Sequence, residues 1–454
     1  MIRRTLKEIQ EMAKGESILP TYNDLMVEGV SRDTREDMKG KLYIPIVGEN
    51  FNGHQFVRQA VLEKGAVASL WQKDQPEPPS DVALVFVDDT LEALQDLASS
   101  YRMEIGMKVI GITGSNGKTT TKDMMTSLLE TTFKVHKTAG NYNNHIGLPL
   151  TILSMTEDTE VAVLEMGMSG RGEIELLSHI AKPDAAIITN IGESHLQELG
   201  SRQGIAEAKL EIAAGLKTGG KLIINGDEPL LLNNLKDIAC EVITFGLNTD
   251  NDYVAKEVNL KGTGTQFLIE ETVYTIPVLG AHNVTNALAS IVVGELLGVN
   301  EENRKKGLEK VSITAMRNEV VEAAGGWTII NDAYNASPTS MRAAIDLLSG
   351  LTGYGKKIAV LGDMLELGDQ ERVFHHDVGK YIQNKGIDYV FTYGKLGKDI
   401  AKGAKEILDS SNVKSYMDKE ELVKDLLGII KKDDVLIVKG SRGMKLEQVV
   451  QGLS

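Results

Sequence analysis

The sequence has only one cysteine, Cys240, among its 454 residues. A single cysteine can form neither an internal disulfide nor a cysteine-ligated metal cluster, so the sequence excludes both. Long apolar runs are also missing. Apolar runs such as residues 185–188 and 291–293 fall far short of the roughly 20 residues that a membrane-spanning helix needs. The sequence therefore predicts no membrane span.

Positively charged side chains are also fewer than negatively charged ones. The chain has 49 lysines and arginines against 64 aspartates and glutamates, which gives a formal net charge of −15. This excess of negative charge disfavours nonspecific binding to nucleic acid. Residues 1–15 carry basic side chains and an amphipathic pattern, without the apolar core of a secretory signal. We therefore expect a soluble, cytoplasmic protein that meets anionic ligands through local sites or metal ions.

Most of the chain repeats one pattern, a short apolar run followed by a glycine or polar residue and then by helical periodicity. This pattern is typical of strand–helix units in a parallel sheet, so the fold class is α/β. It predicts strands at 109–113, 161–164, 185–189, 221–224, 328–331, 358–361, 389–392 and 435–438. Residues 250–277 alternate between polar and apolar side chains instead, which predicts a β excursion.

These patterns divide into three expected domains. Residues 1–98 form a smaller N-terminal α/β domain, in which the proline-rich stretch 75–81 is a surface loop. Residues 99–314 form a central P-loop-type domain with a parallel α/β sheet. Residues 315–454 form a C-terminal Rossmann-like α/β domain.

The stretch GITGSNGKTTT at 111–121 raises the question of a phosphate-binding loop. The textual P-loop pattern G-x-x-x-x-G-K-[ST] requires glycine where this chain has Ile112. A strand, a glycine turn and a helix nevertheless follow one another, and backbone N–H groups at such a junction favour negative charge. Lys118 would then supply a cation to the β- and γ-phosphates, and the Thr119 hydroxyl would ligate Mg²⁺. The less favoured alternative is a tight turn with a solvated lysine.

Two further polar residues follow predicted strands. Glu165 comes at the carboxyl end of the strand in VAVLEMGMSGRGE, the edge where open α/β sheets bind ligands. It is a candidate Mg²⁺ ligand, with an ordinary turn residue as an equal alternative. His195 lies in the loop after the next strand and is a candidate ligand, although a lone loop histidine is more often a surface residue.

Lys209 lies within a helical pattern, GIAEAKLEIAAGL, that is otherwise mostly apolar or acidic. Spacing alone favours an exposed lysine that pairs with Glu207 or Glu211. No special chemistry follows from this pattern by itself.

The stretch GAHNVTNALASIVVGELLG predicts a helix that starts near Asn283 and stops at Gly298. Asn283 and Asn286 are three residues apart, so both amides are expected near the helix start. They are candidate ligand contacts, and helix capping is the alternative for either.

The join to the last domain carries Arg317, and a loop after the next predicted strand carries Asp332, Tyr334 and Asn335. An arginine that faces this aspartate could close over a nucleotide, whereas either residue alone would be an ordinary salt-bridge partner. Pro338 and its polar neighbours suit a loop that leads into a helix over 341–348.

Nine motifs follow one another along the chain: GITGSNGKTT, GNYNNHIGLPLT, LEMGMSGRGEI, NIGESHLQELGS, AEAKLEI, GAHNVTNALA, NDAYNASPTSM, LGDMLELG and VKGSRGMKLE. In this order they resemble the motifs of the Mur ligases. The resemblance runs from about residue 30 to the C-terminus. The family form of the phosphate loop also lacks glycine at the position of Ile112. DAYNASP and LGDMLELG are most typical of the member that joins D-alanyl-D-alanine to a UDP-N-acetylmuramoyl-tripeptide, and no DNPR-like signature of the lysine- or diaminopimelate-adding relatives is present.

The resemblance implies a role for each motif. It implies ATP-phosphate binding by Gly114, Ser115, Asn116, Gly117, Lys118, Thr119 and Thr120, and contacts to the rest of ATP by Asn283, Arg317, Asp332 and Asn335. It implies two Mg²⁺ sites, one with Thr119 and Glu165 and the other with His195 and a CO₂-derived carbamate on Lys209. Lys118, Glu165, His195 and Lys209 would be the catalytic set. For the UDP-sugar substrate it implies Ser31, Asp33, Thr34 and Arg35 of SRDTR and Asn141, Asn143 and Asn144 of GNYNNHIG.

The function expected from the resemblance is an ATP-dependent ligase of peptidoglycan precursor synthesis, acting as a monomer through an acyl phosphate. The alternatives are another Mur-type ligase, a folylpolyglutamate-type ligase, and a P-loop nucleotide switch that hydrolyses ATP to change partner affinity. The SRDTR region argues against the folylpolyglutamate type. Whether the third residue of the tripeptide is lysine or diaminopimelate stays open.

Overall fold

The computed structural model describes residues 1–16 and 19–454. The strands are β1 (Arg3–Thr5), β2 (Met26–Glu28), β3 (Val30–Ser31), β4 (Leu42–Tyr43), β5 (Val47–Gly48), β6 (Phe51–Asn52), β7 (Ala68–Gln72), β8 (Leu84–Val87), β9 (Lys108–Thr113), β10 (Val135–Lys137), β11 (Val161–Glu165), β12 (Ala185–Ile188), β13 (Lys221–Asn225), β14 (Glu241–Gly246), β15 (Tyr253–Lys261), β16 (Gly264–Ile269), β17 (Thr272–Ile276), β18 (Glu319–Glu322), β19 (Thr328–Asp332), β20 (Lys357–Gly362), β21 (Tyr389–Tyr393), β22 (Val413–Tyr416) and β23 (Val435–Lys439).

The helices are α1 (Leu6–Met12), α2 (Thr90–Ile105), α3 (Lys118–Leu129), α4 (Gly147–Leu153), α5 (Glu173–Ala181), α6 (Leu196–Leu199), α7 (Arg202–Leu210), α8 (Pro229–Leu232), α9 (Ala281–Leu296), α10 (Glu301–Glu309), α11 (Pro338–Gly350), α12 (Glu371–Lys380), α13 (Gly397–Lys405), α14 (Lys419–Leu427) and α15 (Glu447–Leu453). Every predicted strand is confirmed to within a residue at each end. The helix expected over 341–348 begins earlier, at Pro338, because Ser337 caps it and proline suits the first helical turn.

The chain forms two compact units, and the first comprises Met1–Thr113, Phe133–Ala186 and Glu211–Leu222. It contains the four-stranded parallel sheet β3-β4-β7-β8 and the hairpin β5-β6. A core that includes Tyr43, Val57 and Trp71 packs on that sheet.

A second parallel arrangement in the first unit has the order β10-β11-β9. All of β11 is buried, as expected for a parallel strand covered on both faces. Glu165, the last residue of β11, therefore lies at the carboxyl end of this arrangement, where the sequence predicted it.

The second unit comprises Gly114–Thr132, Ile187–Leu210 and Ile223–Ser454. Its six-stranded sheet has the order β18-β19-β23-β20-β21-β22 and is parallel except for β18 at one edge. Adjacent residues Ile329 and Ile330 of β19 belong to different hydrophobic clusters, one with α14 and α15 and the other with α11, α12 and α13. Helices therefore cover both faces, which is the Rossmann-like arrangement predicted for this region.

The β excursion predicted over 250–277 is confirmed as the antiparallel strands β15, β16 and β17. Across the part of the chain that the structure describes, no helix is both long and apolar enough to span a membrane.

Candidate active site

The glycine turn before α3 has a backbone that only glycine adopts without strain. Gly114 has φ of +150° and Gly117 has φ of +84°. A Cβ at Gly114 would lie 1.8 Å from the Thr189 hydroxyl oxygen, and a Cβ at Gly117 would lie 2.5 Å from Asn286 Oδ1. Both glycines are thus required by conformation and by space, and a glycine at residue 112 is not needed to build this turn.

Neighbouring loops hold the turn in place. The backbone N–H groups of Ser115 and Asn116 donate to the carbonyl oxygen and to Oδ1 of Asn190, over 3.1 and 3.0 Å. The Thr189 hydroxyl donates to Asn116 O over 2.6 Å. Ser115 Oγ is buried and makes no hydrogen bond within residues 1–16 and 19–454, so it can serve a ligand.

Lys118 begins α3, and its ammonium group donates to Gly114 O over 2.7 Å. The cation therefore lies directly over the turn. Thr119 and Thr120 follow in the first helical turn, and both are buried. Backbone amides, a lysine and a hydroxyl at a helix N-terminus form an arrangement that favours a bound phosphate.

Asn283 and Asn286 do not cap α9, because the helix already begins at Ala281 with Gly280 in the capping position. Instead, Asn286 accepts from the Thr121 hydroxyl over 3.2 Å and donates to Asn283 Oδ1 over 3.1 Å. Asn283 in turn donates to Leu279 O over 2.8 Å. The two amides thus connect α9 to the phosphate helix α3, and the adenine contact of Asn283 stays a prediction.

The interpretation of Lys209 as an exposed lysine is wrong, because the residue is only 2% exposed. The carboxylate of Glu211 accepts from the backbone N–H groups of Gly172 and Glu175, and Glu207 accepts from a Gln203 amide. Burial, followed by the nearby positive charge of Lys118, lowers the pKa of Lys209 well below its ordinary value. Both effects favour the neutral amine over the ammonium form.

His195 precedes α6 with a left-handed backbone, φ of +62°. Its Nδ1 lies 3.0 Å from a carboxylate oxygen of Glu366, and the side chain is partly buried. Glu366 belongs to the LGDMLELG motif, to which the sequence analysis assigned no side-chain role. A carboxylate beside Nδ1 orients the imidazole ring and fixes its tautomer, as is common for metal-binding histidines.

Arg317 and Asp332, which the sequence left as possible partners of each other, have other partners in the structure, and their contacts to ATP stay a prediction. Asp332 pairs with the buried Lys439 over 2.5 Å, and Lys439 also donates to Asn335 O over 3.0 Å. The Arg317 guanidinium stacks on the ring of Tyr334, 4.2 Å from its centroid. Sequence reasoning missed Lys439, although VKGSRG was among the quoted motifs, since nothing local links it to residue 332.

Within the first unit, Glu165 is buried at the end of β11, and its N–H donates to the Thr138 hydroxyl over 2.9 Å. The SRDTR segment lines a cavity of about 270 Å³ through Ser31 and Asp33, with Tyr142 of GNYNNHIG also in its wall.

The remaining predicted substrate residues have local roles or lie at the surface. Arg35 forms a two-pronged ion pair with Asp33, which holds the pKa of that carboxyl down at about 2, and Thr34 is half-buried. Asn144 Oδ1 accepts from the N–H of Ile146, which precedes α4, and from the N–H of Gly147, the first residue of α4. Asn141 is exposed, whereas Asn143 is half-buried beside Gly167.

Comparison with known proteins agrees with this arrangement. Residues 112–294 match the Mur ligase middle domain, and residues 316–442 match the Mur ligase, glutamate ligase domain. The chain is 54% identical to the UDP-N-acetylmuramoyl-tripeptide–D-alanyl-D-alanine ligase of Bacillus subtilis (strain 168), and the match covers 100% of this chain and 99% of that relative.

Solved structures agree in fold over nearly the whole length. MurF from Acinetobacter baumannii superposes with a TM-score of 0.91 at 30% identity, covering 100% of this chain and 99% of that one. The MurF ligase of Thermotoga maritima, in complex with ADP, gives 0.84 at 29% identity, covering 94% and 97%. This likeness confirms the predicted α/β class with three domains. The chain belongs to the Mur ligase family.

Proposed function

We propose that the chain is an ATP-dependent ligase that joins D-alanyl-D-alanine to UDP-N-acetylmuramoyl-tripeptide, a step in the synthesis of peptidoglycan precursors. The observation that carries this proposal is the match at 54% identity over the whole chain to a ligase of that name. The phosphate loop of Gly114–Gly117 and Lys118 supplies the matching chemistry, since it favours a bound nucleotide phosphate.

The residues that the family resemblance assigns to the nucleotide have the chemistry to bind ATP and Mg²⁺. Ser115 Oγ and the N–H groups at the start of α3 would hold the phosphates, and Lys118 would neutralise part of their charge. The Thr119 hydroxyl and the Glu165 carboxylate are oxygen donors of the kind that Mg²⁺ prefers. When bound, the metal supplies positive charge that offsets the charge building up on the transferred phosphoryl group.

Lys209 fits a carbamate because its burial favours the neutral amine. A neutral amine can add CO₂ through a new N–C bond and release one proton, which leaves an anionic carbamate with two oxygens. Those oxygens, together with Nε2 of His195, would hold a second Mg²⁺. Glu366 would keep His195 in the required tautomer through Nδ1.

The reaction must overcome the inertness of a carboxylate toward an amine in water. Transfer of the γ-phosphoryl group to the terminal carboxylate of the tripeptide gives an acyl phosphate and ADP. The dipeptide amine then attacks the acyl carbon, and phosphate leaves. The contribution of the chain is to position three anions and offset their charge, so no nucleophilic serine or cysteine is needed.

The other parts of the proposal follow the same likeness. We place the UDP-sugar at the cavity lined by Ser31 and Asp33, and the incoming dipeptide on the C-terminal domain. The domains are proposed to be 1–98, 99–314 and 315–454. We propose that the protein acts in the cytoplasm, because the proposed substrates are nucleotide-linked precursors. We also propose that it acts as a monomer.

The test is to measure ADP and phosphate release with ATP, UDP-N-acetylmuramoyl-tripeptide and D-alanyl-D-alanine, omitting each in turn. A ligase releases both products only when all three are present. Release without the peptide substrates would indicate a nucleotide switch, and release with a folate and glutamate would indicate a folylpolyglutamate-type enzyme. Tripeptides that carry lysine or diaminopimelate at position three, tested side by side, would identify the preferred substrate.

A further inference from the structure

A buried carboxylate lies two residues before His195 and has no role in the chemistry above. Glu193 is 5% exposed, although it belongs to the loop between β12 and α6. One of its oxygens accepts from the backbone N–H of Thr339 over 3.0 Å and from the Thr339 hydroxyl over 2.8 Å. The other oxygen lies 3.1 Å from the same hydroxyl. A buried charge is thus satisfied by one residue of the C-terminal domain.

Thr339 is the second residue of α11, so Glu193 binds the N-terminus of that helix. The first N–H groups of a helix have no partner within the helix, and this end carries partial positive charge. A carboxylate here is therefore favoured twice, by hydrogen bonding and by the helix dipole.

The same helix end also contacts the phosphate loop. Ser337, which caps α11, lies within hydrogen-bond distance of both amide atoms of Asn116, at 3.3 and 3.4 Å. The N-terminus of α11 is therefore held by two loops of the candidate active site.

These contacts fix one end of the loop that carries Asp332 and Asn335. Lys439 holds the start of this loop by its bonds to Asp332 and to Asn335 O. The loop then enters α11 at Ser337. Glu193 holds the far end, so that the segment 332–337 is attached at both ends.

We propose that Glu193 is a positioning residue for ligation. It holds the N-terminus of α11, and with it the segment 332–337, in register with the phosphate loop. Glu193 acts through Thr339 and touches neither substrate nor nucleotide. The inference rests on the proposed function, because its effect is expressed as a rate of ligation.

The experiment compares Glu193→Ala, Glu193→Gln, Thr339→Val and the double variant Glu193→Ala/Thr339→Val. We expect Glu193→Ala to lower kcat about tenfold, roughly the effect of losing one hydrogen bond to a charged group. The KM for the UDP-linked substrate should stay unchanged, since that substrate binds elsewhere. Glutamine keeps an acceptor for the Thr339 N–H, so Glu193→Gln should restore most of the rate. The double variant should be no slower than Glu193→Ala, because both changes remove one interaction.

Hydrogen exchange supplies a readout that is independent of turnover. The amide of Thr339 and its neighbours should exchange faster in Glu193→Ala than in wild type, and near the wild-type rate in Glu193→Gln. The matched control is Asp418→Ala, which removes a carboxylate that caps α14 in the same domain. It should lower stability without changing kcat.

Two results would overturn the inference while wild type remains active: an unchanged kcat in Glu193→Ala, or additive losses in the double variant. If wild type itself releases no ADP with the three substrates, the proposed function fails instead. Should Glu193→Ala not fold, the same comparison is made with Glu193→Asp, whose shorter side chain withdraws the carboxylate from Thr339. An unchanged kcat in Glu193→Asp, or losses that add to those of Thr339→Val, would again overturn the inference.

Discussion

Replacing Gly117 with alanine should disturb the phosphate loop in two ways, through an unfavourable backbone conformation and through a steric clash. The residue has φ of +84°, and a left-handed backbone costs a non-glycine residue about 1–2 kcal/mol. In addition, the new Cβ would lie 2.5 Å from Asn286 Oδ1, about 0.9 Å closer than ordinary van der Waals contact at 3.4 Å. The alanine variant must therefore bear strain and also displace this amide.

The structure offers a matched control at Gly298, at the end of the helix that carries Asn286. Gly298 has a similar φ of +79°, and a Cβ there would meet nothing within 4 Å. Gly298→Ala should thus lose only the backbone term, about 1–2 kcal/mol of unfolding free energy. Gly117→Ala should lose about 1–2 kcal/mol more, because the displaced Asn286 weakens its bonds to Thr121 and Asn283.

The larger difference should appear in catalysis. A shift of about 1 Å in a group that positions a reactant can cost roughly 100-fold in rate. We therefore expect kcat/KM for ATP to fall about 100-fold in Gly117→Ala and to stay near wild type in Gly298→Ala. Urea unfolding and steady-state kinetics on both variants measure the two effects. Equal kcat/KM in the two variants would refute the assignment of this turn as the phosphate loop.

Four other outcomes are expected. Lys118→Ala should remain folded but lose about 100- to 1,000-fold in kcat, because it removes the cation of the cradle and leaves the amides; a near-normal kcat would contradict the phosphate assignment. Lys209→Ala and Lys209→Arg should both be nearly inactive, with partial rescue of the alanine variant by formate or acetate; a fully active arginine variant would exclude the carbamate. Asp332→Ala should raise the KM for ATP and lower kcat, and unchanged kinetics would make its pair with Lys439 merely structural. Burial lowers the pKa of His375, whose Nε2 accepts from the N–H of Met364, so the unfolded chain binds the proton first as pH falls below about 6.5. Stability to urea should therefore decline from about pH 7 to about pH 5, and less steeply in His375→Gln; an unchanged slope would exclude this histidine as a source.

The strand–helix order and the phosphate loop could be predicted because their signals are local. Apolar runs at strand spacing and the glycines before Lys118 are adjacent in the chain, so a short window contains the whole pattern. Family resemblance added the expected roles of Glu165, His195 and Lys209, which spacing alone left undecided or interpreted otherwise.

The tertiary structure decided which polar groups meet. Asp332 pairs with Lys439, and Glu193 binds Thr339, although each pair is far apart in the chain. The burial of Lys209 likewise depends on segments that lie outside its own stretch of sequence. Whether a lysine is solvated or a neutral buried amine depends on the packing of other segments around it, and so does its pKa. The sequence by itself determined the strands, the turn and the helix that make a phosphate cradle, since backbone conformation follows from neighbouring residues. Folding determined the charge state and partners of the side chains around that cradle, because electrostatics depends on distance in space.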